Sequence, residues 1–395
     1  MNRATTETKR DYLQIANSLA MEFAKTAIER DKRGGTAKVE RDLLRDSGLL
    51  SLLIPTSLGG KGEEWKTVFQ LTRELAKVDG SIAHLFGYHF LCLTSVHLFG
   101  SQQQKEKLYA ETAEKNLFWG NAFNPRDENL LLKKEGSQWL LSGKKSFCSG
   151  AKDSDRLLIS AKSPDHDRPI IAVIPTNRTG IIIKDDWDSF GQRQTDSGTV
   201  LFNEVLLKKE EVLDFHEQHL ESLFPTLRTH IAQTILVHVM LGVAEGAFEE
   251  AKNYTKKVTR PWLTSHVEKA TSDPYTIRQY GELFVQLKAS AALAQHAADA
   301  LQDVWGKEWS LTDQERGECG IVIATAKVSV AKTALEVTNR MFEVMGARAT
   351  SAQYQFDRFW RNVRTHTLHD PIDYKIRDIG NWALNDQLPE KTPYS

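Results

Sequence analysis

Residues 141–151 read Leu-Ser-Gly-Lys-Lys-Ser-Phe-Cys-Ser-Gly-Ala. A glycine turn leads into a short strand and then into small residues. The plain reading is a hairpin. A sharper one uses the strand's exposed end: backbone N–H groups and the Ser149 hydroxyl can hydrogen-bond the carbonyl and ring nitrogen of a flat heterocycle, while Phe147 packs on its face. The surroundings are β-like. Residues 139–141, 145–148, 157–161, 170–174, 181–184 and 200–205 have strand spacing or are rich in β-branched side chains. Turn residues separate them, at Gly136-Ser137, Ser142-Gly143, Ser163-Pro164-Asp165 and Thr179-Gly180. No helix-length periodic segment intervenes, so the stretch predicts an antiparallel β domain and not βαβ units.

Helices flank this block. Leu13, Ala16, Leu19, Ala20, Phe23, Ala24 and Ala27 recur at helical spacing, and a second helix over 38–46 ends at Gly48, its C-cap candidate. Helical spacing returns over 65–78 and 82–99. From Glu217 the chain is helical again. Ile231, Ile235, Val239 and Val243 form one stripe, Leu283, Leu287, Ala294, Ala298 and Leu301 another, and 321–344 a third amphipathic segment. Long antiparallel helices imply a bundle. The expectation is an α+β chain of three units: helical at 1–115, a central antiparallel β domain at 116–215, and a helical bundle at 216–395.

Composition narrows the function. The 395 residues carry 51 basic and 52 acidic side chains, for a net charge of −1. That balance lacks the footprint of a general nucleic-acid binder. Cys92, Cys148 and Cys319 form no CxxC pair, so a reducing cytoplasm is expected and a disulfide framework is not. Residues 1–11 lack the apolar segment of a signal peptide. No apolar run approaches the ~20 residues of a membrane span. Neither GxGxxG nor a P-loop occurs.

Several segments together resemble the acyl-CoA dehydrogenase superfamily. Leu141-x-Gly143-x-Lys145-x-Phe147 is similar to its flavin-binding strand. Tyr254–Trp262 resembles a segment whose arginine, here Arg260, contacts flavin phosphate. Phe342–Ala347 resembles the glycine turn where a second subunit meets the cofactor, and Arg348 offers a second charge-assisted phosphate contact. His369-Asp370-Pro371 stands where many of these dehydrogenases carry Tyr-Glu-Gly, whose Glu is the base. Asp370 is one methylene shorter, and Pro371 biases it toward extended geometry. Residues 358–364 (Arg-Phe-Trp-Arg-Asn-Val-Arg) and 366–371 (His-Thr-Leu-His-Asp-Pro) resemble the superfamily's FMN-dependent monooxygenase branch. So do residues 47–53, 84–89, 147–152, 193–198 and 273–278.

The resemblance implies a chemistry. Reduced FMN, made by a separate NADH-dependent flavin reductase, takes up O2 at flavin C4a. The hydroperoxide, shielded from water, oxidises the sulfur of a small aromatic organosulfur substrate, such as dibenzothiophene, to sulfoxide and then sulfone. The resemblance places His84, Tyr88, Asn121, Ser149, His366 and His369 around the flavin's reactive edge. His369 and Ser149 would hold the reactive face, Asn121 and Tyr88 would orient it, and His84 and His366 would either support these groups from behind or manage protons. His84 and Tyr88 are four apart and His366 and His369 three apart, so each pair shares a helix face. Cofactor contacts are implied at Tyr88, at the loop Asn121, Ala122, Phe123, Asn124, Pro125 and Arg126, at Lys145, Ser146, Phe147, Cys148 and Ser149, and at Arg260, Ala347, Arg348 and His369. A mobile segment over 127–134 would follow the loop. Phe147 and Trp187 are candidates for an apolar pocket. The turn at 346–348 implies a homo-oligomer, a tetramer. No metal is expected, because the histidine pair lacks a third ligand and no HExxH occurs. Competing readings are an FAD-dependent acyl-CoA dehydrogenase with Asp370 as base, and a flavin-binding protein without catalysis.

Overall fold

A computed structural model describes residues 3–136, 138–164, 166–213 and 222–395. Ser137 and Asp165 of two expected turns, and the helical restart at Glu217 with its 215/216 boundary, lie outside the described residues. The described chain begins with α1 (Arg3–Arg33), α2 (Lys38–Asp46), α3 (Trp65–Ala76), α4 (Gly80–Phe99) and α5 (Gln102–Lys115). Strands follow: β1 (Trp119–Ala122), β2 (Leu130–Glu135), β3 (Gln138–Lys145), β4 (Arg156–Ser163), β5 (His166–Pro175), β6 (Ile181–Ile183) and β7 (Val200–Leu207). Helices return as α6 (Leu227–Lys257), α7 (Pro274–Trp305), α8 (Asp313–Met345), α9 (Asp357–Thr367) and α10 (Ile372–Asn385). The order is helical, β, helical. Local chemistry sets the ends. Asp79 caps α4 by accepting the Ser81 and Ile82 N–H groups, and Ser101 and Gln104 form a capping box at α5.

One continuous apolar core joins α1–α5 to α6–α9. The sheet has a second core, around Leu141, Leu157, Ile159, Val200 and Phe202. At the centre of the first, α4 and α6 are long and apolar enough to cross a membrane by length and composition, contrary to the sequence expectation. Each such window is 89 % buried inside the chain, as in a core helix. His89, Thr94 and Ser95 break up the apolar run of α4 in sequence. They are buried because they bond Leu50 O, Phe90 O and Leu91 O.

The β domain departs from expectation in three ways. It is mixed, not antiparallel: β1 runs parallel to β4, and Leu131 of β2 pairs in parallel with Lys162 of β4. The chain makes the β2–β3 hairpin between β1 and β4, so β1 and β4 come together without a direct turn. Second, Ser142-Gly143 does not end a strand. β3 runs through it to Lys145, and its register against β7 shifts there in a bulge, so 145–148 is no separate strand. Third, the segment expected to be mobile contains β2, which pairs with β3 from Leu130↔Gly143 to Glu135↔Gln138.

Gly143 makes the bulge possible. Its φ is +129°, and a Cβ there would lie 2.0 Å from Asn129 O. Gly143→Ala is expected to destabilise the fold by about 1–3 kcal/mol, read as a lowered urea midpoint. An unchanged midpoint would contradict this geometry.

Candidate functional site

Past Lys145 the chain turns sharply. Phe147 adopts φ +56° and Gly150 φ +69°. Phe147 is 61 % exposed and meets Trp187 edge-on, with centroids 6.0 Å apart. The row of free backbone donors expected here is mostly consumed. Ser146 N–H donates to Asp127 Oδ2 (2.8 Å), Cys148 N–H to Gly198 O (3.1 Å), Ser149 N–H to Phe147 O (3.0 Å) and Gly150 N–H to Thr195 O (2.9 Å). Three expected cofactor side chains are also used internally. Lys145 Nζ donates to Asn124 O (3.1 Å) and Asp127 O, Ser146 Oγ to Asp127 Oδ2 (2.7 Å), and the buried Cys148 Sγ to Lys145 O (3.3 Å). These side chains build the 121–127 loop, because a buried ammonium needs acceptors and the loop carbonyls provide them.

Ser149 is at one end of a directed hydroxyl chain. The Gln192 carbonyl can only accept, so Thr195 Oγ1 donates to it (2.9 Å). Ser197 must then donate to Thr195 (2.8 Å), and Ser149 to Ser197 (2.8 Å). Each hydroxyl has one proton. Ser149 is therefore left with lone pairs only.

The histidines form a second chain from the same residue. Gln192 Nε2 donates to Asn362 O (3.3 Å), which fixes its amide orientation, and makes a long contact to His366 Nδ1 (3.4 Å). His366 Nε2–H then donates to His84 Nδ1 (3.1 Å). That leaves His84 as the Nε2–H tautomer, and this buried Nε2 has no partner. His84 also stacks on Tyr88, with centroids 4.0 Å apart. Burial and the nearby His369 push His84 down to about 3. Burial, with His84 and His369, holds His366 well below the usual range. Both rings stay neutral near pH 7 and offer hydrogen bonds, not acid protons.

His369 is anchored on its other side. Its Nδ1 donates to Asp370 Oδ1 (2.9 Å), which also accepts from Gln233 Nε2 (3.3 Å) and the Lys327 ammonium. His369 Nε2 stays without a partner among the described residues. Burial raises the Asp370 carboxyl, but the His369 hydrogen bond and the Lys327 charge outweigh it and hold it well below the usual range. Burial pushes the Lys327 ammonium down to about 8, with Asp370 opposing. The sequence reading missed Lys327, Gln233, Gln192 and Asn362. One signal was available: Lys327 falls on the apolar face of α8, in line with Ile323, Val330 and Ala334.

The remaining expected residues divide. Asn121 N–H donates to Ser149 O (3.0 Å), and its buried Oδ1 has no partner. Ala122 lies in the sheet core, Asn124 Oδ1 accepts from Arg126 N–H (3.1 Å), and Pro125 and Arg126 are exposed. Phe123 sits beneath the Arg228 guanidinium at 3.9 Å. Arg260, Ala347 and Arg348 are exposed, and a Thr259 Oγ1–Met345 O bond (3.0 Å) joins their two segments. Among the described residues no hydrogen bond or ion pair connects them to Ser149 or His369.

A flat heterocycle with its own donors and acceptors fits these loose ends. Phe147 supplies an exposed ring, Ser149 an acceptor, Asn121 Oδ1 a second acceptor and His84 Nε2 a donor. A flavin is such a ring, and its reduced form carries the N–H at N5 that an acceptor-only serine suits.

Comparison with known proteins agrees. Models of the acyl-CoA dehydrogenase N-terminal, middle and C-terminal domains match residues 6–116, 125–205 and 234–374. A relative from Pseudomonas putida, described as a probable FMNH2-dependent monooxygenase, SfnC, is 49 % identical over the full length of both chains. The structure of methanesulfinate monooxygenase MsuC from Pseudomonas fluorescens superposes with a TM-score of 0.94 at 49 % identity, covering 97 % of this chain and 99 % of that one. Dibenzothiophene monooxygenase TdsC from Paenibacillus sp. A11-2, solved with FMN bound, superposes with a TM-score of 0.93 at 42 % identity, covering 98 % and 100 %. The three domains in order, and relatives this similar over their full length, show that the chain belongs to the acyl-CoA dehydrogenase family, in its branch of FMN-dependent monooxygenases.

Proposed function

We propose that this chain is the oxygenase of a two-component system that consumes FMNH2 and O2 and inserts one oxygen atom at the sulfur of an organosulfur substrate, releasing FMN and water. On dibenzothiophene the products are the sulfoxide and then the sulfone. Bound FMN supplies the oxygen activation. The observation that carries the reading is the pairing of an acceptor-only Ser149 with a His369 whose Nδ1 is committed to Asp370 and whose Nε2 is free. Ser149 accepts from the reduced ring, and His369 Nε2 addresses the reacting oxygen. Asn121 and Tyr88 orient the ring. His84 and His366, held neutral, position it and do not deliver protons. Asp370 does not suit the dehydrogenase reading. Its Oδ1 is already held by three donors, and a carboxylate with so depressed a proton affinity is a weak base for an α-proton.

The rest of the cofactor site fits a homotetramer in the cytoplasm, fed by a separate NADH-dependent reductase. Arg260, Ala347 and Arg348, exposed on the surface, would meet the flavin phosphate of a neighbouring copy. The division into units at 1–115, 116–215 and 216–395 is retained in this reading. Light scattering is expected to give four times 44.7 kDa. A monomer mass would refute the shared cofactor site.

With dibenzothiophene, FMN, NADH, O2 and a flavin reductase supplied, His369→Ala and Ser149→Ala are each expected to lower sulfone formation about 100-fold or more. Retained turnover would sink their assignment. A pH dependence also follows. Lys327 is competent as the ammonium that pairs with Asp370, so activity falls as pH rises through about 8. In Lys327→Met that alkaline limb is absent and activity is low throughout. Leaving the buried Asp370 charge without its cation also lowers stability by about 3–5 kcal/mol. A pH–rate profile and urea unfolding of the two proteins check both statements.

A further inference from the structure

Two arginines of α2, one turn apart, reach out of the helical half of the chain into the β domain. Arg41 is fully buried. Its Nη1 donates to Lys152 O, in the turn that follows Ser149, and its Nη2 to Asp196 Oδ2 (2.7 Å), in the loop before β7. Its Nε has no partner among the described residues, so the guanidinium is committed to these two loops. Arg45 grips the first loop again, through Asp153 Oδ2 (3.0 Å) and Asp153 O (2.5 Å). Both aspartates have left-handed backbones, φ +47° at Asp196 and +62° at Asp153, a conformation that persists only where the surroundings enforce it. Asp196 also stands between Thr195 and Ser197, the two hydroxyls that commit the Ser149 proton to the loop. A buried ion pair adds little stability over an apolar pair of the same volume. What the Arg41–Asp196 pair adds is a fixed geometry.

We propose that Arg41 is a positioning residue for the oxygenase: by holding Lys152 O and Asp196 on one guanidinium, it keeps Ser197 within reach of the Ser149 proton and so keeps Ser149 an acceptor. This rests on the reading of Ser149 as the group that accepts from the reduced ring, and adds the residue that enforces it. When the guanidinium is lost, Asp196 relaxes toward an ordinary φ, Ser197 moves off Ser149, and the Ser149 hydroxyl is free to donate. The preference between the two oxidation states of the flavin changes with it. N5 carries a hydrogen in FMNH2 and a lone pair in FMN, so an acceptor-only Ser149 favours the reduced ring and a donating Ser149 the oxidised one. Lysine is no substitute, because a single ammonium on a shorter stem cannot serve both loops as the planar guanidinium does.

The test measures anaerobic dissociation constants of FMN and of dithionite-reduced FMN, without turnover. It uses the full-length wild type, Arg41→Lys, Ser149→Ala and the double variant of the two. A fifth protein, Arg41→Gln combined with Asp196→Asn, removes the guanidinium and leaves no charge unpaired. The wild type is expected to bind FMNH2 more tightly than FMN. That preference should fall about fivefold or more in Ser149→Ala, in Arg41→Lys and in the neutral pair. Adding Arg41→Lys to Ser149→Ala should lower it no further, because both act on the same hydroxyl. A general loosening of the site weakens both flavin forms alike and leaves the ratio unmoved. A ratio unmoved in Arg41→Lys and in the neutral pair, beside a lowered one in Ser149→Ala, overturns the Arg41 assignment and leaves the Ser149 reading standing. So does a further fall in the double variant, since Arg41 then acts by another route. A ratio unmoved in Ser149→Ala overturns both. If Arg41→Lys does not fold, the neutral pair, with and without Ser149→Ala, carries the same comparison.

Discussion

The candidate site depends on keeping one carboxylate ionised inside the protein. Asp370 is buried just beyond α9, where removal from water costs several kcal/mol unless charge and hydrogen bonds replace the lost hydration. Lys327 from α8 and Gln233 from α6 supply that replacement, and His369 completes it. The same contacts fix His369. A histidine on its own near a helix end would rotate and exchange tautomers, but one whose Nδ1 is committed to a buried carboxylate presents only Nε2. The helical bundle thus fixes which ring nitrogen His369 of the candidate site presents.

Gln192 plays the matching part from the β side. It adopts a left-handed backbone, φ +53°, which costs a side-chain-bearing residue about 1–3 kcal/mol. Asn362 of α9 holds it by accepting the Gln192 N–H at 2.7 Å. Its carbonyl sets the direction of the Thr195–Ser197–Ser149 chain and its amide that of the His366–His84 chain. One strained residue therefore determines that Ser149 accepts and His84 donates. The same carbonyl receives Trp187 Nε1–H at 2.8 Å, so the aromatic wall beside Phe147 is held by the same point.

Much of the architecture was legible because it rests on local patterning. The α2 boundaries, the stripe of Ile231, Ile235, Val239 and Val243, and the β texture after Asn116 all follow from side-chain periodicity. The failures were non-local. Trp119–Ala122 is too short to alternate visibly, and its parallel partner lies more than thirty residues away, from Arg156 to Ile159. Ser142-Gly143 has the composition of a turn, yet the strand continues because Gly143 tolerates a bulge against β7. The helix over 82–99 was expected, but its polar residues masked how apolar it is: Thr94 and Ser95 are satisfied one turn back, at Phe90 O and Leu91 O, and only His89 needs a distant carbonyl, Leu50 O.

The sequence by itself determined the order of helical and β segments, the motif at 141–151 and the histidine-rich segment at 366–371, because these depend on spacing along the chain. It also named His84, Tyr88, Ser149, His366 and His369, but not Gln192, Thr195, Ser197, Gln233, Lys327 or Asn362, to which they are bonded or linked. Only the tertiary structure decided what each one can do. Lys145, Ser146 and Cys148 turn inward to build a loop, Asp370 is held by Lys327 and disarmed as a base, and Ser149 and His84 are left with opposite hydrogen-bonding roles. The reason is that a proton's position and a charge's cost are set by partners from α6, α8, α9 and the β domain, brought together only by folding.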